Sequence, residues 1–175
     1  IDLLIPRGGE GLIRFVTEHA TVPVIRHFKG VCHIFVEKTA DIEKAKKILI
    51  NAKCQRPGVC NALETMLLDR GLAPESQRVL LSCLAENGVT LHADAEICGA
   101  FGSQVGNLVP ATEEDWPAEY LSLDLAVARV DGIDGAIAHI ARYTSLHTEA
   151  VLTEDEEIAD RFLREVNSST VLVNA

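Results

Sequence analysis

Aromatic residues are scarce in this chain, with Phe, Trp and Tyr together making only 5% of the residues and a single Trp among them. A core must therefore be built from aliphatic side chains. No apolar run approaches the ~20 residues needed to span a bilayer as a helix. No basic stripe interrupts a formal charge of -10, which excludes a protein that tracks nucleic-acid phosphates. It does not exclude an anionic small molecule, because one or two local arginines override net charge. No CxxC pair occurs among the five cysteines, Cys32, Cys54, Cys60, Cys83 and Cys98. The odd count and the spacing fit neither a disulfide framework nor a zinc site. No metal is expected, and the cysteines read as free thiols in a reducing, cytoplasmic setting.

What is present is an ordinary globular balance, 47% hydrophobic and 24% charged over 175 residues, the size of one domain. Apolar runs alternate with helical patterns along the whole chain, the signature of an α/β domain with a largely parallel sheet flanked by helices in three layers. Strands are expected at 2–5, 22–25, 32–36, 89–91, 121–130, 149–152 and 170–173. Helices are expected at 11–18, 41–52, 59–68, 76–86, 93–101, 133–143 and 154–166, with 102–116 as irregular surface loop. The apolar runs at 1–5 and 171–173 lead to the expectation that residues 1–175 form one domain of a longer polypeptide.

Three segments carry residues suited to chemistry. In Gln55-Arg56-Pro57-Gly58-Val59-Cys60-Asn61, the predicted helix over 59–68 places Cys60 in its first turn. There, unpaired N–H groups and the helix dipole favour a thiolate, with Arg56 adding to the field. The competing reading is an apolar thiol packing in that turn. The second segment, 139–149, runs from a helix end through a polar loop to a strand. Its Arg142, Ser145, His147 and Thr148 offer donors to an anion, although a capped turn explains the same residues. The third, Pro6-Arg7-Gly8-Gly9, is a strand-to-helix glycine turn without the full phosphate-loop pattern. Arg26, His27 and His33 are weaker candidates to line a cleft.

Taken in order, Asp2 to Gly9, Val22 to His33, Gln55-Arg56-Pro57-Gly58-Val59-Cys60-Asn61-Ala62-Leu63-Glu64 and Tyr143-Thr144-Ser145 with His147-Thr148-Glu149 resemble the gamma-glutamyl phosphate reductase family. That family belongs to the aldehyde dehydrogenase superfamily. The resemblance implies a catalytic, cysteine-bearing domain of that superfamily, with the nucleotide-binding domain lying outside this chain. It implies NADPH as cofactor, held mainly by the absent domain, and reduction of L-glutamyl 5-phosphate to L-glutamate 5-semialdehyde in proline biosynthesis. Cys60 is implied as the nucleophile that forms a thioester. Arg56, Arg142, Ser145, His147 and Thr148 are candidates for the phosphate or the glutamyl carboxylate, with their tasks undivided. A glutamate kinase and further copies of the chain are candidate partners. Two alternatives stay open: another cysteine-dependent acyl reductase on the same fold, and a piece that binds ligand without turnover, the latter being expected of this chain alone.

Overall fold

The computed structural model describes residues 1–26 and 29–175, Glu10 by its backbone alone. Its elements are α1 (Glu10–His19), β1 (Cys32–Val36), α2 (Ile42–Cys54), β2 (Leu63–Asp69), α3 (Pro74–Glu86), β3 (Thr90–Ala93), α4 (Ala95–Phe101), β4 (Leu108–Pro110), β5 (Asp124–Val130), α5 (Gly132–Tyr143), β6 (Thr148–Leu152), α6 (Glu156–Glu165) and β7 (Thr170–Val173).

All seven strands join one sheet in the order β4-β3-β5-β2-β1-β6-β7, and every pair is parallel. Period-2 alternation in the strands divides the core into two. Ile34, Val36, Met66, Leu68, Leu91 and Val127 face α2, α3 and α4, meeting Leu49, Leu81, Leu84 and Ile97. Phe35, Leu67, Val130 and Val151 point the other way, toward Ile133, Ala136 and Ile140 of α5 and Phe162 of α6. With helices on both faces, the central strands are buried throughout, as in β1 and β2. No helix among the described residues is long and apolar enough to cross a membrane.

Helix boundaries follow local chemistry. Asp41 caps α2 by accepting Lys44 N–H at 3.1 Å, Asp94 caps α4 through Ile97 N–H, and Pro74 opens α3, all favoured start residues. The first two expected strands do not reach the sheet. They make a single parallel bridge, Leu4 to Val24, in which Leu4 N–H donates to the Pro23 carbonyl and Ile25 N–H to that of Leu4.

One expectation is corrected with consequences for the site. Residues 59–68 are not a helix: Val59 to Ala62 form a turn, and β2 begins at Leu63. Leu63, Met66 and Leu67 fall at helical spacing, but β2 is sandwiched between layers and buried at every position. A strand of that kind has no polar face to reveal its period. Cys60 therefore does not stand in the first turn of a helix. Within 102–116, expected as loop alone, Leu108–Pro110 adds the edge strand β4.

A candidate active-site cleft

A cleft of about 1090 Å³ opens at the amino ends of the strands, lined by residues that precede β1, β2, β5, β6 and β7. Cys60 lines it, together with Gly58, Val59, Asn61, Glu119 and His147; Arg7, Gly8, Gly9, Arg26 and Lys29 line it as well. Cys60 is the exposed cysteine of the five, all of which are free thiols. Cys32 lies buried beneath it. Its thiol donates to the Cys60 carbonyl at 3.4 Å and sits 3.9 Å from His147 Nδ1. Burial, then the nearby Glu149 carboxylate, pushes the Cys32 thiol up to about 12. Cys32 is thus held as a neutral hydrogen-bond donor, not as a second nucleophile.

Gly30 fixes where Cys60 stands. A Cβ at Gly30 would fall 1.8 Å from the Cys60 oxygen and 2.8 Å from its Cα, so only glycine permits the two backbones to approach this closely. Gly30 is in turn tied by its N–H to Glu119 Oε1 at 2.7 Å, and Val31 N–H donates to Ser145 Oγ at 2.8 Å. These bonds draw three separated segments, 29–31, 119–121 and 145–147, around the cysteine turn.

A buried ion pair closes the base of that turn. Lys53, at the end of α2, donates to Glu64 Oε2 at 2.7 Å with both side chains fully buried. Glu64 Oε1 also accepts Leu121 N–H at 3.3 Å. Burial pushes Lys53 down from its ordinary value and Glu64 up, each partly restored by the other.

Behind the cleft a second buried carboxylate anchors the 144–149 loop. Glu149 accepts His33 N–H and faces His33 Nδ1, both at 2.9 Å, and takes the Thr144 hydroxyl and that of Ser168. Leu146 N–H donates to Thr144 Oγ1 while Leu146 itself adopts φ 62°. The result presents His147, whose Nδ1 lies 2.7 Å from Thr148 Oγ1, to the cleft.

No family model matches this chain. Relatives do. The chain is 57% identical over its whole length to the gamma-glutamyl phosphate reductase of Geotalea daltonii and 54% identical to that of Citrifermentans bemidjiense, covering 41% of each. The crystal structure of gamma-glutamyl phosphate reductase from Thermotoga maritima superposes with a TM-score of 0.93 at 44% identity, again over 100% of this chain and 41% of that one. From end to end, the chain matches one segment of gamma-glutamyl phosphate reductase. At 21% identity, an acetylating aldehyde dehydrogenase from Geobacillus thermoglucosidasius shares the fold, with a TM-score of 0.74 over 99% of this chain and 46% of that one.

Of the sequence-expected residues, Cys60 and His147 line the same cleft. Ser145 and Thr148 stand just behind, engaged with Val31 N–H and His147. Arg56 and Arg142 are exposed and stand apart from the residues that line the cleft; Arg142 lies 4.9 Å over the Tyr143 ring. His33 is buried on Glu149 rather than lining a cleft, and His27 lies outside the described residues. Lys29, Gly30 and Glu119 had no local signal in the sequence, because only the packing of distant loops brings them to the cleft, whereas Asn61 adjoins Cys60 in the chain.

Proposed function

We propose that this chain is the cysteine-bearing part of an enzyme that reduces L-glutamyl 5-phosphate to L-glutamate 5-semialdehyde with NADPH, a step of proline biosynthesis. The chain spans 41% of the length of its curated relatives, so the remainder of the enzyme, including its nucleotide-binding domain, is assigned to sequence outside this chain. The reading is carried by one observation. An exposed thiol stands in an open cleft, on a turn held by Gly30, within a segment that matches that reductase throughout.

The Cys60 thiolate attacks the acyl carbon; the S–C bond forms, the C–O bond to phosphate breaks, and phosphate leaves with the electron pair. The turn sets the approach, since Cys60 main chain is pinned between Gly30 and the Cys32 thiol. The Cys60 N–H is the donor in this chain for the developing oxyanion. His147, backed by Ser145 and Thr148, offers donors to the anionic groups of the substrate, and Arg56 and Arg142 remain candidates for the same groups from farther out. NADPH, when bound, supplies the hydride that reduces the thioester. Arg7, Gly8 and Gly9 fit a phosphate arm of such a cofactor. They open the ten-residue helix α1 on the cleft, and the side of Gly9 where a Cβ would point is clear to 4 Å. After reduction, the Cys60 sulfur leaves as thiolate and the aldehyde is released. Because hydride transfer needs the cofactor domain, this chain alone binds ligand without turnover.

In the full-length enzyme, Cys60→Ala lowers NADPH-dependent turnover by roughly 10⁴-fold. Retained turnover removes Cys60 as nucleophile. In the reverse direction the unmodified enzyme oxidises the semialdehyde only when phosphate is supplied. Oxidation without phosphate assigns the cleft to another cysteine-dependent enzyme of this fold.

A further inference from the structure

The chain carries a formal charge of -10, yet its cleft is lined by Arg7, Arg26, Lys29 and His147 against a single carboxylate, Glu119, among the described residues. That carboxylate is engaged, with Oε1 accepting the Gly30 N–H at 2.7 Å. An acidic molecule with a cationic recess focuses its positive potential there and draws anions to it.

Two of the cations are placed in the cleft by their chain neighbours. Lys29 precedes Gly30, the residue whose missing Cβ lets it lie against the Cys60 carbonyl, so its Cα is about 3.8 Å along the chain from that contact. Arg26 follows Ile25, which the bond from Ile25 N–H to the Leu4 carbonyl holds beside the cleft. We propose that Lys29 and Arg26 form the subsite for the phosphoryl group of the acyl phosphate, and so select an acyl phosphate over a neutral acyl group. This rests on the reductase reading above. In the forward direction the pair holds the dianion as the C–O bond breaks. In reverse it delivers inorganic phosphate, whose oxygen attacks the thioester carbon while the C–S bond breaks and Cys60 leaves with the electron pair. An ammonium and a guanidinium are the groups that serve a phosphate dianion in this way.

Cofactor phosphates are a second source of the same chemistry, so the test separates the two. In the full-length enzyme running in reverse, Lys29→Gln and Arg26→Gln are each expected to raise the KM for phosphate by about tenfold, the size of one charge-assisted contact. The KM values for NADP+ and semialdehyde stay within about twofold, and Lys29→Arg restores most of the loss. An unchanged phosphate KM, or a rise confined to the KM for NADP+, overturns the assignment. A measurement free of turnover accompanies it: inorganic phosphate is expected to slow alkylation of Cys60 by iodoacetamide, and the Lys29→Gln/Arg26→Gln double variant to lose that protection. Absence of protection in the unmodified protein defeats the subsite. Protection without phosphate-dependent turnover retains the subsite and defeats the reductase reading.

Discussion

The two ends of this parallel sheet differ in what their loops leave open, although carboxylates tie loops at both. At the carboxyl ends, acidic side chains close the loops on themselves. Glu37, buried after β1, accepts Thr39 N–H at 2.8 Å, the Thr39 hydroxyl at 2.5 Å and the Thr153 hydroxyl at 3.0 Å. Asp69 takes Gly71 N–H and Lys38 N–H. Asp94 takes Ile97 N–H and Arg129 N–H, and Arg70 ties Asp131 to Glu96 across the surface. At the amino ends the equivalent loops carry glycine, cysteine, histidine and cations around open space. Open α/β sheets ordinarily bind ligands outside their carboxyl ends. Here the described loops at those ends are tied by their own hydrogen bonds, and the cleft opens at the amino ends. Which end of a sheet works is decided by which loops leave donors and space, not by strand direction.

That contrast can be broken in four ways, from the largest effect to the smallest. Gly30→Ala forces the Cys60 backbone to move; kcat of the full-length enzyme is expected to fall about 100-fold, the cost of misplacing a reacting atom by about an ångström. Unchanged kcat would show that the close approach is incidental. Alkylation of the native chain should reach Cys60 first and Cys32 last. Cys54, Cys83 and Cys98, whose thiols burial pushes up, should fall between. Cys98 leading in a peptide-resolved time course would contradict the placement of Cys60.

His139 gives a pH test of the layer behind the cleft. Its ring packs edge-on to His33 and Trp116, and burial, then His33 and Arg142, lower it from 6.5 to about 4. The folded state therefore binds fewer protons than the unfolded chain between those values. Stability is fully present above about pH 6.5 and is lost as pH falls toward 4, by about 2 kcal/mol after allowance for partial exposure. His139→Phe should flatten that dependence in urea titrations; an unaltered pH slope would place the proton uptake elsewhere. Smallest is Glu37→Gln at the carboxyl end, expected to cost about 1 kcal/mol of stability and leave the Cys60 alkylation rate unchanged. A change in that rate would mean that the two ends are coupled.

Much of this architecture was legible in the sequence where one face meets water. The helix expected at 41–52 is α2, with Ala45 and Leu49 buried on its inner face. The 32–36 strand stands where its apolar run put it, as β1. Legibility failed where burial erased the pattern. Leu63, Met66 and Leu67 imitate a helix because β2 faces protein on both sides. Leu121, expected to begin a strand, turns at φ 56° and leaves β5 to start at Asp124. The same holds for the candidate site: local motifs pointed to Cys60 and His147, and both line the cleft. Lys53 against Glu64 and Gly30 against Cys60 are tertiary meetings with no local trace. Arg56, next to the cysteine motif in sequence, is not among the lining residues, and the Arg and Lys side chains that line the cleft come from 7, 26 and 29.

The Lys53–Glu64 pair has a use beyond holding the turn. It joins positions eleven apart across the neck of a loop that begins at the end of α2 and ends in β2, and the pair is inaccessible to solvent. The pair ties the two ends of the segment that carries Cys60 to each other. A segment clamped in this way can be exchanged as a unit. A transplanted loop of the same length, flanked by the same lysine and glutamate and keeping the narrow backbone that Gly30 demands, would install a different nucleophile without redesigning the sheet beneath it.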